Sequence, residues 1–534
     1  MFTATRVFRA VITSFSGKGR FHSCQTVAEF VKEGYFSELI PTNSEKYLHE
    51  AQDSSVYLGI DPSAPSLQVG NLVAIIGLLR CHLLGYGVIA VIGTGTASIG
   101  DPSGRVVKRS VQTTNQYEVN AAGIEQDLQR ILRNYRDHFL PRMCTHTHLK
   151  SINVLRNGDW LNAVGFTAFL NEFAHHLRVP ELLEKESVKV RLASGKGMDL
   201  SEFLYPALQA MDFAHLHTNY NCRIQIGGQD QLGNIHVGLT MLQRKLGKHA
   251  FGLLVPLLTT PDGKKFGKSD TDPGSESTML WLSKEKVLPF HLFQRILNLP
   301  DNMASTRLLR QLTFLSREEI DSLMMEHKLS PDTRPVQRAI AREVTLLVHG
   351  IDAVRSTELA TRVLFPKTRP DPPHAEHDVP SSSLDALSTD LNPTERDYLL
   401  NYLDPSAGLL PVIHTDLPPS TSSDLGSWLR NILLSINKDA NTSATLRLCI
   451  QKGVFLNDLT LLKPDSTISS SIIPDELGIF QDPILCDAIT KALSRRSDAS
   501  GVNVLRVGRH DRWFLVTRQQ RTTSRYPVAK AREI

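Results

Sequence analysis

Lys264-Lys265-Phe266-Gly267-Lys268-Ser269 places three lysines within five residues, on a glycine-containing loop that follows the turn Pro261-Asp262-Gly263. Ammonium groups on such a loop can close over a polyphosphate and open again. Alone, the run describes a solvated surface better than a binding site. A second stretch far upstream has complementary chemistry. Val56-Tyr57-Leu58-Gly59-Ile60 is a short apolar run of strand character, stopped at Asp61-Pro62-Ser63, where proline cannot continue a ladder. Leu67 to Leu84 then has helical periodicity. Residues Asp61 to Asn71 therefore span the end of a strand and the start of a helix, whose free N–H groups attract an anion. A third polar cluster, Gln229-Asp230-Gln231, follows the apolar run Arg223 to Gly228.

The elements that would hold these groups form a recognisable order. Gly87 to Gly93 reads as a second buried strand, closed by a glycine-rich turn through Gly95 to Gly100, which completes a βαβ unit. Leu253 to Leu258 is a further strand candidate just before the lysine loop. The expected fold is α/β, with a Rossmann-like parallel sheet that gathers its polar residues at one rim. Residues 120–220 are mostly helical, including Asp159 to Leu177 with Trp160, Leu161, Phe166, Phe169, Leu170 and Phe173 on it. That aromatic-rich stretch suits either core or a subunit interface.

Pro289 to Gly350 has a helical period, with candidates at Thr306–Phe314, Arg317–Lys328 and Val336–Val348. Residues 366–384 are rich in proline and charge, and Leu417 to Ser423 is again Pro/Ser/Thr-rich, so both read as linkers or insertions. Beyond them come helices around Trp428–Ile436 and Ala444–Lys452. Two hairpins follow, Val454–Asp458 with Leu459–Leu462, and Val502–Gly508 with Arg512–Thr517. The expected division is 26–288 for the sheet domain with a helical insertion, 289–365 for an all-helical domain, 366–423 for a linker and 424–534 for a small α+β domain.

The chain has 534 residues, 41% of them hydrophobic, and a net charge of only +4, so nucleic-acid binding must come from local basic surfaces. The most apolar region, 72–92, is interrupted by Arg80 and His82, which excludes a membrane span there. Six cysteines are scattered without paired spacing, as in a reducing compartment. Cys144, His146 and His148 leave a fourth ligand unnamed, which disfavours zinc. The first 28 residues carry Arg6, Arg9, Lys18 and Arg20, seven Ser/Thr and no acidic residue. Residues 1–25 therefore suit a mitochondrial transit peptide, the alternative being a basic terminus without that role.

The pairing of YLGIDPSAPSLQVGN (57–71) with KFGKS (265–269) resembles the two nucleotide-binding signatures of class I aminoacyl-tRNA synthetases, and more closely those of the tyrosyl-tRNA synthetases of bacteria and mitochondria. The likeness runs through IGDPSGR (99–105), NGDWL (157–161), EFLYPALQAMDF (202–213) and CRIQIGGQDQLGNI (222–235). It continues through WLSKEK (281–286), TFLSREE (313–319) and EVTLLVHG (343–350), and RLCIQKGVFLND (447–458) resembles the small RNA-binding module of that family.

The resemblance implies a ligase that joins tyrosine to ATP as tyrosyl-adenylate and passes it to the terminal adenosine of tRNA(Tyr). It implies ATP as substrate, Mg²⁺ carried with ATP, a homodimer in the mitochondrial matrix, and no membrane. Lys265 and Lys268 match the clamp on departing pyrophosphate, with Ser63, Gln68 and Asn71 on the opposite wall. Tyr57 and Asp212 match the partners of the phenol hydroxyl. Asp101, Tyr205 and Gln209 match those of the α-ammonium group, and Gln231 also belongs to the tyrosine site. Gly59, Asp61, Gly70, Gly228, Asp230 and Ser269 match adenylate- or ATP-contacting positions. Tyr205, Gln209 and Asp212 are spaced i, i+4 and i+7, hence on one helix face.

Two positions depart from the family pattern. Histidine is usual where this chain has Gln68, and frequent where it has Asn71; amides keep a neutral N–H donor and give up imidazolium charge. An active enzyme with slower adenylation is the expectation. Leu232 stands where an aromatic residue is common. Two other readings stay open at this point: a structural-RNA-binding protein on the same scaffold, favoured by the altered amides and basic tail, and a tryptophanyl enzyme, which has no use for Tyr57 and Asp212.

Overall fold

A computed structural model describes residues 26–103, 112–143, 149–195, 197–259, 280–365, 393–403, 407–415, 425–435, 454–456, 459–462, 502–507 and 511–517. Residues 1–25, the cluster at Cys144 to His148, the lysine loop with Lys265, Lys268 and Ser269, and the helix expected over 444–452 lie outside them. The chain divides into two compact units, 1–287 with 291–351, and 288–290 with 352–534.

The first unit is built on six strands: β1 (Glu38–Ile40), β2 (Ser55–Ile60), β3 (Gly87–Ile92), β4 (Ile152–Arg156), β5 (Cys222–Gly228) and β6 (Phe251–Val255). Their order is β1-β6-β5-β2-β3-β4, with every neighbour pair parallel except β1 with β6. Helices cover both faces of such a sheet, so its strands read as unbroken apolar runs; all six residues of β3 are buried. Strand β2 lies between β3 and β5, where the order reverses, and ligands of open α/β sheets bind at the carboxyl ends of strands at that point.

Four helices frame that rim: α1 (Val69–Leu83), α2 (Thr114–Asn134), α3 (Leu200–Tyr220) and α4 (Leu232–Leu246). Helices α3 and α4 end on Asn221 (φ 48) and Gly247 (φ 62), whose left-handed backbone lets their N–H groups return to the last turn. The helices expected over 289–365 as one domain divide between the units. Residues 291–351 join the sheet unit, because α5 (Pro335–His349) packs on α2: Arg130 Nε donates to Val348 O (2.9 Å) and Asn134 Nδ2 to Leu347 O (3.1 Å).

The single helix expected over Asp159 to Leu177 is instead broken into Gly158–Leu161, Phe166–Glu172 and a short turn Ala174–His176. None of the residues of Phe166–Glu172 is buried, whereas Trp160, Phe173 and Leu177 on either side pack against the core.

The second unit contains helix Ile351–Leu364 from Asp352 onward, together with Pro393–Asn401 and Leu425–Ser435. Its strands are β7 (Val412–Thr415), β8 (Val454–Leu456), β9 (Leu459–Leu462), β10 (Val502–Val507) and β11 (Asp511–Thr517), ordered β7-β11-β10-β8-β9. Both expected hairpins are present as antiparallel pairs. Part of the stretch expected as linker is structured: β7 runs parallel to β11, and Leu399, Leu403 and Leu410 pack with Leu359, Val363 and Leu364. Among the described residues no helix is long and apolar enough to cross a membrane.

Candidate active site

At the carboxyl ends of the strands, the described residues predicted for tyrosine fall into two groups. At the first, Asp61 ends β2 and accepts from Thr96 Oγ1 (3.0 Å) and from the Tyr205 hydroxyl (2.7 Å). Residue 93 must be glycine here, because a Cβ would run into Asp61 Oδ1 and lie 2.7 Å from Thr96 Oγ1. Asp101 accepts from Ser103 N (2.9 Å), Gln231 Nε2 (2.5 Å) and Asn234 Nδ2 (3.3 Å). Asn234 also reaches Gln209 Oε1 and Gln231 Oε1, both at 3.1 Å. Burial raises the Tyr205 pKa well above its ordinary value, and the carboxylates of Asp61 and Asp101 add to the rise. Two carboxylates and amide oxygens around one protonated phenol make a site for a cation the size of an ammonium group.

The second group lies deeper. Asp212 is buried on α3, where Asn157 Nδ2 donates to Oδ2 (3.0 Å) and Trp160 Nε1 to Oδ1 (2.8 Å). Its carboxyl is pushed up to about 7, first by burial and further by the charge of Asp61, while Asn157 and Trp160 pull it down. Tyr57 is buried next to it, its ring 5.1 Å from that of Phe213. Burial raises the Tyr57 pKa well above normal, with Asp212 the largest charge adding to it. A fixed carboxylate beside a tyrosine hydroxyl, in apolar surroundings, reads a hydroxyl group and not a hydrocarbon edge.

The stretch from Asp61 to Asn71 is fastened from below. Asp127 on α2 accepts from Ser66 Oγ (2.7 Å), Leu67 N (3.1 Å) and Arg130 Nη2 (2.6 Å), and Asn120 Nδ2 donates to Pro62 O (3.1 Å). Residues 280–282 run antiparallel against it: Val69 N donates to Leu280 O (3.0 Å), Leu282 N to Leu67 O (2.8 Å), and Gln68 bridges Trp281. Residues 280–282 are thus joined to the N-terminus of α1. Gln68 is the N-cap of α1, and its backbone N–H donates to Asn71 Oδ1 at 2.9 Å. Part of Asn71 is therefore spent on capping.

Ser63 N donates to Asp61 O (2.8 Å) within the turn. Gly59 and Gly70 have nothing within 4 Å of where a Cβ would stand, while a Cβ on Gly228 would meet Asp230 Oδ1 at 2.6 Å. Asp230 lies in the exposed turn Gln229–Gln231 that leads into α4.

Residues 49–366 match the family described as tRNA synthetases class I (W and Y). The mitochondrial tyrosine–tRNA ligase of Homo sapiens is 34% identical over 448 residues, 80% of this chain and 88% of the human one. That of Drosophila melanogaster is 35% identical over 347 residues, 64% of this chain and 73% of the fly one. The chain belongs to the class I tyrosyl-tRNA synthetases. A C-terminally truncated mitochondrial tyrosyl-tRNA synthetase from Aspergillus nidulans superposes on this synthetase with a TM-score of 0.56 at 27% identity, covering 63% of this chain and 93% of that one.

Sequence reasoning singled out neither Asn157, Asn234, Thr96 nor Asp127, and read Trp160 as core or interface. Asn157 stands one residue past β4, at the carboxyl end of a parallel strand, which is the signal that would have found it. Asp127 is a carboxylate on the buried face of α2, between Ile124, Leu128 and Ile131. Asp127→Ala is expected to lower stability by roughly 2–3 kcal/mol, since it takes the buried carboxylate partner from Arg130 and leaves Ser66 Oγ and Leu67 N without their acceptor. Thermal melting should detect that loss, and kcat for adenylation should fall with it.

Proposed function

We propose that the two groups of this site hold the two ends of tyrosine. Asp61, Asp101, Tyr205, Gln209 and Gln231 take the α-ammonium end, and Tyr57 with Asp212 takes the phenol. The buried carboxylate of Asp212, fixed by Asn157 and Trp160 beside Tyr57, is the observation that carries this reading. The tyrosine carboxylate attacks the ATP α-phosphate in line, and pyrophosphate leaves. No protein nucleophile is needed; orientation and charge stabilisation suffice.

Gly59, Gly70, Gly228 and Asp230 line the nucleotide side, where Gly59 and Gly70 leave room for close approach. Ser63, Gln68 and Asn71 face the phosphates at the start of α1, and Lys265, Lys268 and Ser269 close from the other side. Among the described residues no group of three or more His, Cys, Asp or Glu could hold a metal. Mg²⁺ comes with ATP, coordinated by phosphate oxygens and water. The adenylate then passes tyrosine to the terminal adenosine of tRNA(Tyr), in mitochondria, where the similar ligases of human and fly are named as working. Residues 424–534 form the RNA-binding domain and 1–25 the transit peptide.

ATP–pyrophosphate exchange with tyrosine, tryptophan and neither tests the activity. Exchange with tyrosine only is the expected result; no exchange, or exchange with tryptophan, would sink it.

The enzyme works as a homodimer. Phe166 at 74%, Val179 at 60% and Leu200 at 71% exposure are large apolar residues left open on the insertion, which supports a partner there. Phe166→Asp is expected to turn a dimer into a monomer by sedimentation and to lose most tRNA charging; an unchanged sedimentation coefficient rejects this interface.

A further inference from the structure

Trp160 takes part in the site through one atom, the indole Nε1 that donates to Asp212 Oδ1 (2.8 Å). That N–H is a single donor lying in the plane of its ring, so the tilt of the ring decides how well it meets the carboxylate. The backbone gives the ring little support. Trp160 lies on Gly158–Leu161, a helix of four residues, and one turn does not hold its shape unaided. The indole itself is only partly buried against the core. A second ring supports it. His215 follows Asp212 by three positions on α3, hence on the same side of that helix, and its imidazole stacks on the indole with centroids 4.4 Å apart and planes 8° from parallel. Asn219, four positions further on, donates from Nδ2 to His215 O (2.9 Å) and lies 3.4 Å from His215 Nδ1. Burial pushes the His215 pKa below its ordinary value, so the stacked ring is neutral near pH 7.

We propose that His215 is a positioning residue for phenol recognition: by stacking on Trp160 it aims the indole N–H at Asp212 and holds the carboxylate in the orientation that receives the substrate hydroxyl. Among the described residues no hydrogen bond joins His215 to Asp212, so its influence passes through the indole. Asn157 holds the other carboxylate oxygen, Oδ2, at 3.0 Å. Without the stack the carboxylate keeps that one firm anchor and turns about it. Tyrosine then loses part of its acceptor, whereas phenylalanine has no hydroxyl to place and loses nothing. The stack therefore acts on the choice between the two amino acids and not on the chemistry at the α-phosphate. This inference rests on the tyrosine reading of the site.

The test is pyrophosphate exchange with tyrosine and with phenylalanine in the unaltered enzyme, His215→Ala, His215→Phe, Trp160→Phe and Trp160→Phe combined with His215→Ala. His215→Ala is expected to raise KM for tyrosine about fivefold, the scale of one aromatic stack, with kcat nearly unchanged. The tyrosine-to-phenylalanine ratio of kcat/KM should fall by the same factor. His215→Phe, which restores a flat ring without the imidazole nitrogens, should recover most of both. On the Trp160→Phe background a ring remains to be stacked but its N–H is gone, so His215→Ala should cost nothing further. A role in packing alone would lower the melting temperature and leave the ratio unchanged, and that result overturns the inference. So does an equal loss on the Trp160→Phe background, or a His215→Phe form as impaired as the alanine one. His215→Gln, read by the same criteria, stands in if the alanine form does not fold. An unaltered enzyme without tyrosine-dependent exchange overturns the reading of the site itself, before any variant is compared.

Discussion

Asp212→Ala is expected to remove tyrosine activation almost completely, with kcat/KM for tyrosine falling by about 10³-fold, the scale of losing one side of a buried, charge-assisted hydrogen bond. The loss has two parts. The phenol loses its acceptor, and the N–H groups of Asn157 and Trp160, which now end on the carboxylate at 3.0 and 2.8 Å, are left pointing at nothing. Asp212→Asn should lose nearly as much, because one of those two donors then faces an NH₂ group. The same carboxyl gives the enzyme a pH signature. Burial and the charge of Asp61 push it up to about 7, so in the free enzyme it is ionised above that pH and protonated below. A phenol donates to the carboxylate and has nothing to donate to in the acid form. Affinity for tyrosine should be steady above about pH 7 and fall about tenfold per unit below it, read as kcat/KM in exchange assays from pH 5.5 to 8.5. Asn157→Ala should move that midpoint upward, since it removes a donor that favours the charged form. A flat profile across this range would show that Asp212 is not the phenol acceptor.

The parts of this molecule that were legible in its sequence are those where one signal decided the outcome. Strands β2, β3 and β5 are short, buried on both faces and stopped by Asp61-Pro62, by a glycine turn and by Gly228, so period and punctuation agreed. The face of α3 that carries Tyr205, Gln209 and Asp212 followed from helical spacing alone. The residues that hold those groups were harder to read, since holding is a matter of tertiary contact. Asn157 binds Gly95 N–H and Asp212 across gaps of 62 and 55 residues. Trp160 has the composition of a core residue, yet its indole N–H decides its place. The break of the Asp159–Leu177 stretch into short helices was hidden for a related reason: aromatic residues at helical spacing look the same whether they face a core or solvent. Asn71, expected at the phosphates, also caps α1 by accepting from Gln68 N–H, a role that spacing alone did not show.

Replacing Lys265 or Lys268 by Ala is expected to lower kcat for adenylation by ~10²–10³-fold each while leaving KM for tyrosine within a few-fold. The two ends of the site explain the split. In the proposed site tyrosine is held by groups on β2, beyond β3, on α3 and in the turn before α4, none of which belongs to the lysine loop. As proposed, the lysines meet charge that builds on the departing pyrophosphate, so their contribution is made in the transition state and little of it in the ground state. Leu280 and Leu282 exchange backbone bonds with Val69 and Leu67, on either side of Gln68. In the proposed clamp, lysines from one side and the amino end of α1 from the other meet the phosphates, and the neutral amide at Gln68 leaves more of the phosphate charge to the lysines. Two consequences separate this account from a merely basic surface. Gln68→His should raise kcat and soften the loss caused by Lys268→Ala, since an imidazolium at the N-terminus of α1 supplies part of the missing charge. Asn71→His should fail to do the same, because it sacrifices the cap on Gln68 N–H, at a cost of about 1 kcal/mol in stability, before it offers any charge. Pre-steady-state adenylation rates for the three forms decide the matter: a lysine variant that raises KM for tyrosine as much as it lowers kcat would place the loop in ground-state binding and defeat the clamp.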